Sequence, residues 1–157
     1  MSLSDLFSDK LVIVDMNCNS AEESITNIVE LMNELGYVKP EYVSSVIERE
    51  KLYPTGLPTE PFNVALAHSD PQHVLRSGIA VGTLVNPVSF FEMGSPTRIL
   101  SVPIIFVLAV REKEKQTIVL KGLMNILNDR NAILKLKDAS SSEEILKTLL
   151  RSEGNYG

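Results

Sequence analysis

The sequence predicts an α/β protein: a mixed β-sheet flanked by helices in a single compact domain. Three observations carry that expectation. Apolar stretches of strand length alternate along the chain with stretches of helical periodicity. The longest apolar run, Ile99 to Val110, covers 12 residues and contains Ser101 and Pro103. It falls short of the ~20 residues a membrane span needs and reads as an interior strand. Finally, 157 residues with 44% hydrophobic content fill one core and not two, and no repeat, low-complexity tract or Gly/Ser linker divides them. The domain is therefore expected to cover 1–157, with 1–8 as a flexible start. Met1-Ser2-Leu3-Ser4-Asp5 lacks the basic and apolar regions of a secretory signal and reads as mature sequence or a short remnant.

The elements follow in order. Leu11-Val12-Ile13-Val14 is a short apolar strand. Ser20 and Glu23 have capping-box spacing, and Ile25, Ile28, Val29, Met32 and Leu35 recur at helical intervals up to Gly36, so a helix is expected over about 21–35. Pro40 suits the first turn of a second helix, with Val43, Val46 and Ile47 on one side. That helix should stop near Leu52, because Pro54-Thr55-Gly56-Leu57-Pro58 cannot continue it. Val64 to Ala67, Gly78 to Val85, Val88 to Phe91 and Val102 to Val110 are rich in β-branched or aromatic residues and read as strands. The last third supplies a helix with Val119, Leu123, Met124 and Leu127 on one face. A closing helix then begins at Ser141 and Glu144 and carries Ile145, Leu146, Leu149 and Leu150.

Charge and cysteine content exclude several functions. Fifteen basic against twenty acidic residues leave a net charge of −5, which gives no field to hold a nucleic acid by counterion release. The one cysteine, Cys18, permits no intrachain disulfide and suits a reducing, cytoplasmic setting.

Reactive chemistry has few places to reside. There are two histidines, His68 and His73. His68 lies where the apolar strand opens into Ser69-Asp70-Pro71, and strand-end loops commonly carry groups held by a rigid scaffold. A structural histidine donating to a nearby carbonyl fits the same position. A metal site does not fit, since histidines five apart are not an i, i+4 pair and no cysteine or glutamate motif accompanies them. On the helical wheel, Glu50 falls within the stripe of Val43, Val46 and Ile47, and Arg49 falls at its flank. An acid there asks for a partner: the helix frays, or Glu50 is a half-buried acceptor that fixes a loop while Arg49 leans over a site. Arginine's planar fork matches phosphate oxygens, although a solvated surface arginine is the commoner arrangement.

Arg49-Glu50, then Pro54-Thr55-Gly56-Leu57, then Val64-Ala65-Leu66-Ala67-His68 resemble the signature of the IIA components of the bacterial sugar phosphotransferase system, of the fructose, mannitol and galactitol type. The likeness covers essentially the whole chain. His73 and the 19-residue step from Arg49 to His68 look most like the galactitol branch. Two departures stand out. Ala67 takes the place of the proline that usually precedes the active histidine, and Arg111 to Gln116 holds no second histidine. The resemblance implies a phosphoryl carrier for sugar transport, with His68 phosphorylated by the carrier HPr. A cysteine of a IIB component would then take the phosphoryl group and serve a membrane IIC component. Arg49 would neutralise the phosphoryl oxygens. Thr55 and Ser69 would add donors, and the work of the second histidine would fall to Lys115, to His73 or to nothing. No cofactor is implied. A regulatory IIA-like protein and a non-catalytic interaction module remain as alternatives, and the sugar is not readable.

Overall fold

The structure, a computed structural model, describes residues 2–156. Its strands are β1 (Val12–Met16), β2 (Gly56–Leu57), β3 (Val64–His68), β4 (Gly78–Glu92) and β5 (Ser95–Ala109). Its helices are α1 (Ala21–Glu34), α2 (Tyr42–Leu52), α3 (Lys113–Ile126), α4 (Arg130–Asp138) and α5 (Ser142–Tyr156). Among the described residues, no helix is long and apolar enough to cross a membrane.

The sheet is mixed. β1 runs parallel to β4, β4 antiparallel to β5, and β5 parallel to β3. The two-residue β2 pairs antiparallel with β3 and touches the far end of β4 at Glu92. Gly56 is needed at that crossing, because a Cβ there would sit 2.5 Å from the Phe91 carbonyl oxygen.

Period-2 alternation divides the interior into two cores. Ala65 and Ala67 of β3, Ala80 of β4, and Ile105 and Val107 of β5 pack against α1 and α2. Their sequence neighbours Val64, Leu66, Ile104, Phe106 and Leu108 pack on the opposite side with the last three helices. A strand buried on both faces must be apolar at successive positions, which is why Val102 to Val110 reads as a continuous run.

Local signals explain the helix ends. Ser20 Oγ accepts the Glu23 amide at 3.1 Å, but Glu23 reaches the amide of Asn19 and not that of Ser20, so the capping box is only half formed. Gly36 takes φ +82° at the end of α1, as a C′ glycine does. α2 begins at Tyr42, two residues after Pro40, and ends as expected at Leu52.

Four expectations need correction. The stretches Gly78–Val85 and Val88–Phe91 are one strand, whose register slips between Thr83 and Val88. Pro87, which has no amide to donate, sits in that irregularity and not in the regular ladder. β5 starts at Ser95 and not Val102, forming a hairpin through Gly94 at φ +78°. α4 was unanticipated: Asp129 caps it by accepting from Asn131 and Ala132, and Ala132, Ile133 and Leu136 bury its inner side. The start is not loose over residues 2–8. Leu3–Leu6 forms a 3-10 turn, and Leu6 and Phe7 are buried in the second core.

Candidate functional site

His68 is the last residue of β3, in register with Leu108 of β5. The strand's alternation turns its ring to the α3 side, where it lines a small cavity with Leu108, Val110, Gln116 and Leu120. Nδ1 lies 2.8 Å from the Leu66 carbonyl oxygen. A carbonyl only accepts, so in the neutral ring the proton sits on Nδ1 and the free lone pair on Nε2. Burial is the main cause that lowers the ring's pKa from its usual value. The Leu66 bond and Asp70 oppose that shift, whereas the nearby Arg49 charge adds to it. The imidazole is thus held neutral near pH 7 with one nitrogen ready to attack.

Arg49 comes from the last turn of α2, on the other face of the sheet. Its guanidinium stacks over Tyr53, 4.5 Å from the ring centroid, and NH1 lies 3.8 Å from Asp70 Oδ1. Its Nε is buried and has no acceptor among the described residues. Lys113, at the start of α3, reaches the same Asp70 oxygen at 3.6 Å. Two cations therefore converge on one anion beside His68.

Glu50 turns inward from Arg49. Its carboxyl accepts the Thr55 amide at 2.8 Å and contacts the Thr55 hydroxyl at 2.6 Å, fixing the turn that leads to β2. Burial pushes its pKa up to about 7 against these two bonds. Ser69 is held on three sides. Its amide donates to the Tyr42 hydroxyl at 3.2 Å, its carbonyl accepts from Gln116 at 3.0 Å, and its hydroxyl meets that of Ser45 at 2.7 Å.

The structure thus brings His68, Arg49, Glu50, Thr55 and Ser69 to one end of the sheet. It does not bring the other two candidates. His73 closes the 3-10 turn Pro71–His73, where its carbonyl accepts the Lys39 amide and its ring meets the neighbouring Gln72. Lys115 pairs with Glu112 at 2.9 Å; Lys113, and not Lys115, leans toward the site. Sequence reasoning missed Tyr42, Ser45, Asp70, Lys113 and Gln116. Tyr42 alone carried a signal, a large aromatic four residues before Val46 on the buried stripe of α2.

No described group of three His, Cys, Asp or Glu residues could hold a metal ion. A groove of about 520 Å³ lies between α4 and α5 near Lys135 and Arg151. The cavity beside His68 is only about 10 Å³, too small to enclose a free small molecule.

A neutral histidine at a strand end, next to an arginine and a lysine, is the equipment of a phosphotransferase component that relays phosphate through histidine. Comparison with known proteins makes the assignment specific. The family model for the phosphoenolpyruvate-dependent sugar phosphotransferase system, EIIA 2, matches residues 5–152, and the chain belongs to that family. It is 31% identical over 142 residues to the mannitol-specific EIICBA component of Vibrio cholerae, covering 88% of this chain and 20% of that protein. The chain therefore spans about a fifth of the length of the curated relatives it matches. The crystal structure of IIA mannitol from Escherichia coli superposes with a TM-score of 0.76 at 28% identity, covering 90% of this chain and 97% of that one. The Escherichia coli complex of enzyme IIA-mannitol with phosphorylated enzyme IIB-mannitol gives a TM-score of 0.78 at 27% identity, with 93% and 99% covered.

Proposed function

We propose that His68 is the phosphoryl-accepting residue, that the donor is phospho-HPr and that the acceptor is a cysteine of a IIB component. The observation that carries this reading is the commitment of His68 Nδ1 to the Leu66 carbonyl, which leaves Nε2 as the nucleophile beside an arginine with an unused donor. Nε2 attacks the phosphorus in line with the P–N bond of the donor phosphohistidine. A new P–N bond forms, and the electron pair of the broken one returns to the donor's imidazole. In the onward step a thiolate attacks, an S–P bond forms, and the pair returns to Nε2. Throughout, Nδ1–H stays on Leu66.

Phosphoryl transfer needs position and charge neutralisation more than covalent help. Arg49 supplies a planar fork to the equatorial oxygens, with Lys113 as a second cation. Asp70 is displaced from both as the phosphoryl group arrives. Thr55 and Ser69 act through the backbone they hold. The absence of a roomy cavity at His68 supports transfer between docked proteins over binding of a free substrate. The relay operates in the cytoplasm and serves a membrane IIC component. Its sugar is a hexitol: the named relatives are mannitol-specific, while the Arg49–His68 spacing suggested galactitol. Transfer rates to mannitol-type and galactitol-type IIB proteins decide between the two.

The primary test is incubation with phosphoenolpyruvate, enzyme I and HPr, followed by intact mass. One acid-labile, alkali-stable phosphoryl group is expected on the wild type and none on His68→Ala. Phosphate on the His68→Ala protein, or none on the wild type, overturns the reading.

A further inference from the structure

The β3–β5 ladder ends in an unusual way. His68 pairs with Leu108 as the last Cα partners of two parallel strands. In a parallel ladder the next bond would run from the amide after His68, that of Ser69, directly to the carbonyl of Leu108. The Tyr42 hydroxyl stands in that place. It donates to the Leu108 carbonyl at 2.7 Å and accepts the Ser69 amide at 3.2 Å. Tyr42 is fully buried at the start of α2, and burial raises its pKa well above that of an ordinary phenol, so the hydroxyl keeps its proton. One rung of the ladder is therefore replaced by a side-chain oxygen, which holds the strands apart by the width of a hydroxyl immediately after His68.

We propose that Tyr42 is a positioning residue for phosphoryl transfer: its hydroxyl is an inserted rung that splays β3 from β5 and sets where the His68 ring emerges. The widening begins at the residue that bears the ring, and the Ser69 carbonyl and hydroxyl are tied down separately by Gln116 and Ser45. With three of its polar groups held, Ser69 has little freedom, and the backbone leaving His68 inherits that rigidity. Without the hydroxyl, the Ser69 amide either closes directly onto Leu108 or loses its partner. In both cases the ring moves relative to Leu66 and Arg49. A 1 Å displacement of a reacting atom is enough to slow a transfer about a hundredfold.

The inference rests on His68 being the phosphoryl acceptor, so the test carries two readouts. Tyr42→Phe, which removes one oxygen, is compared with wild type in single-turnover phosphorylation by phospho-HPr. The His68 imidazole of both proteins is also titrated by NMR, with 15N shifts reporting the tautomer. Tyr42→Phe should still take the phosphate on His68, at least tenfold more slowly, with a displaced imidazole titration or a mixed tautomer and an unchanged circular dichroism spectrum. Wild-type rate together with an unchanged titration overturns the proposal. A wild type that takes no phosphate defeats the functional reading alone, because the titration still judges whether Tyr42 positions the ring. If Tyr42→Phe does not fold, 3-fluorotyrosine at position 42 keeps the ring and hydroxyl while weakening the oxygen as an acceptor. A rate and titration identical to wild type would then overturn the inserted rung, and a shift in both would support it.

Discussion

Replacing Glu50 by Gln isolates the buried carboxyl beneath the site. The side chain keeps its shape, with its carbonyl still accepting the Thr55 amide and its NH2 donating to the Thr55 hydroxyl, while the titratable proton disappears. Folding raises the Glu50 pKa from 4.5 to about 7, so the fold prefers the protonated form. The associated stabilisation is complete below about pH 4.5 and is lost as pH rises through 7. Linkage over that interval gives a loss of about 2.5 kcal/mol between pH 5 and pH 8. Burial, which leaves this carboxyl largely shielded, is the first cause of the shift and justifies carrying it into stability. His68 contributes with the opposite sign, since its folded pKa is lowered and its stabilisation is lost on acidification. It is present in both proteins and cancels in the difference. Urea unfolding of wild type and Glu50→Gln at several pH values between 5 and 8 should therefore show the variant gaining on the wild type as pH rises. In thermal unfolding over the same pH range, the gap in Tm between the two proteins should widen by roughly 5–10 °C. A difference that stays flat across this range would show that Glu50 is not desolvated as described.

Other outcomes follow from the same geometry. Arg49→Lys keeps the charge but loses the planar fork, so single-turnover transfer from phospho-HPr should slow by about ten- to a thousandfold with circular dichroism unchanged; equal rates would return Arg49 to an ordinary surface role. Lys113→Ala should slow the same transfer a few-fold at low ionic strength, with the effect shrinking as salt screens it. Lys115→Ala should do less, and the reverse ranking would contradict the Asp70 contacts. Gly56→Ala forces a Cβ against the Phe91 carbonyl and should cost about 1–3 kcal/mol in chemical unfolding, since backbone cannot give way as a flexible side chain does. An unchanged midpoint would mean that the β2–β4 crossing is looser than the structure has it.

What the sequence made legible follows the range of the interactions involved. That Arg49 and His68 meet at one end of the sheet was readable because the family-like motif holds both, and the helical wheel placed Arg49 at the flank of the α2 stripe from nearby residues alone. Tyr42 was not, because its role depends on a contact with Leu108, 66 residues away, that only the β3–β5 register creates. The choice between Lys113 and Lys115 turned on where α3 begins. Two residues rotate about 200° around a helix axis, so once Lys113 faces Asp70, Lys115 faces elsewhere. His73 was drawn away by the turn at Pro71, whose hydrogen bond to Lys39 belongs to the connection between α1 and α2. The single strand β4 was misread as two because Asn86-Pro87 carries a strong local break signal, which pairing with β5 on both sides overrides.

The two cores separated by the sheet have no side chain in common. Arg49 and Tyr42 are anchored in one, while Gln116, Lys113 and the cavity against the His68 ring belong to the other. His68, the proposed phosphoryl acceptor, is therefore a hinge pin between two halves built from separate sets of side chains. Substitutions among the last three helices can remodel the surface on the His68 ring's side without disturbing Arg49, which is anchored on the other side. The strands β1, β3, β4 and β5, whose alternate residues face the two halves, are answerable to both at once.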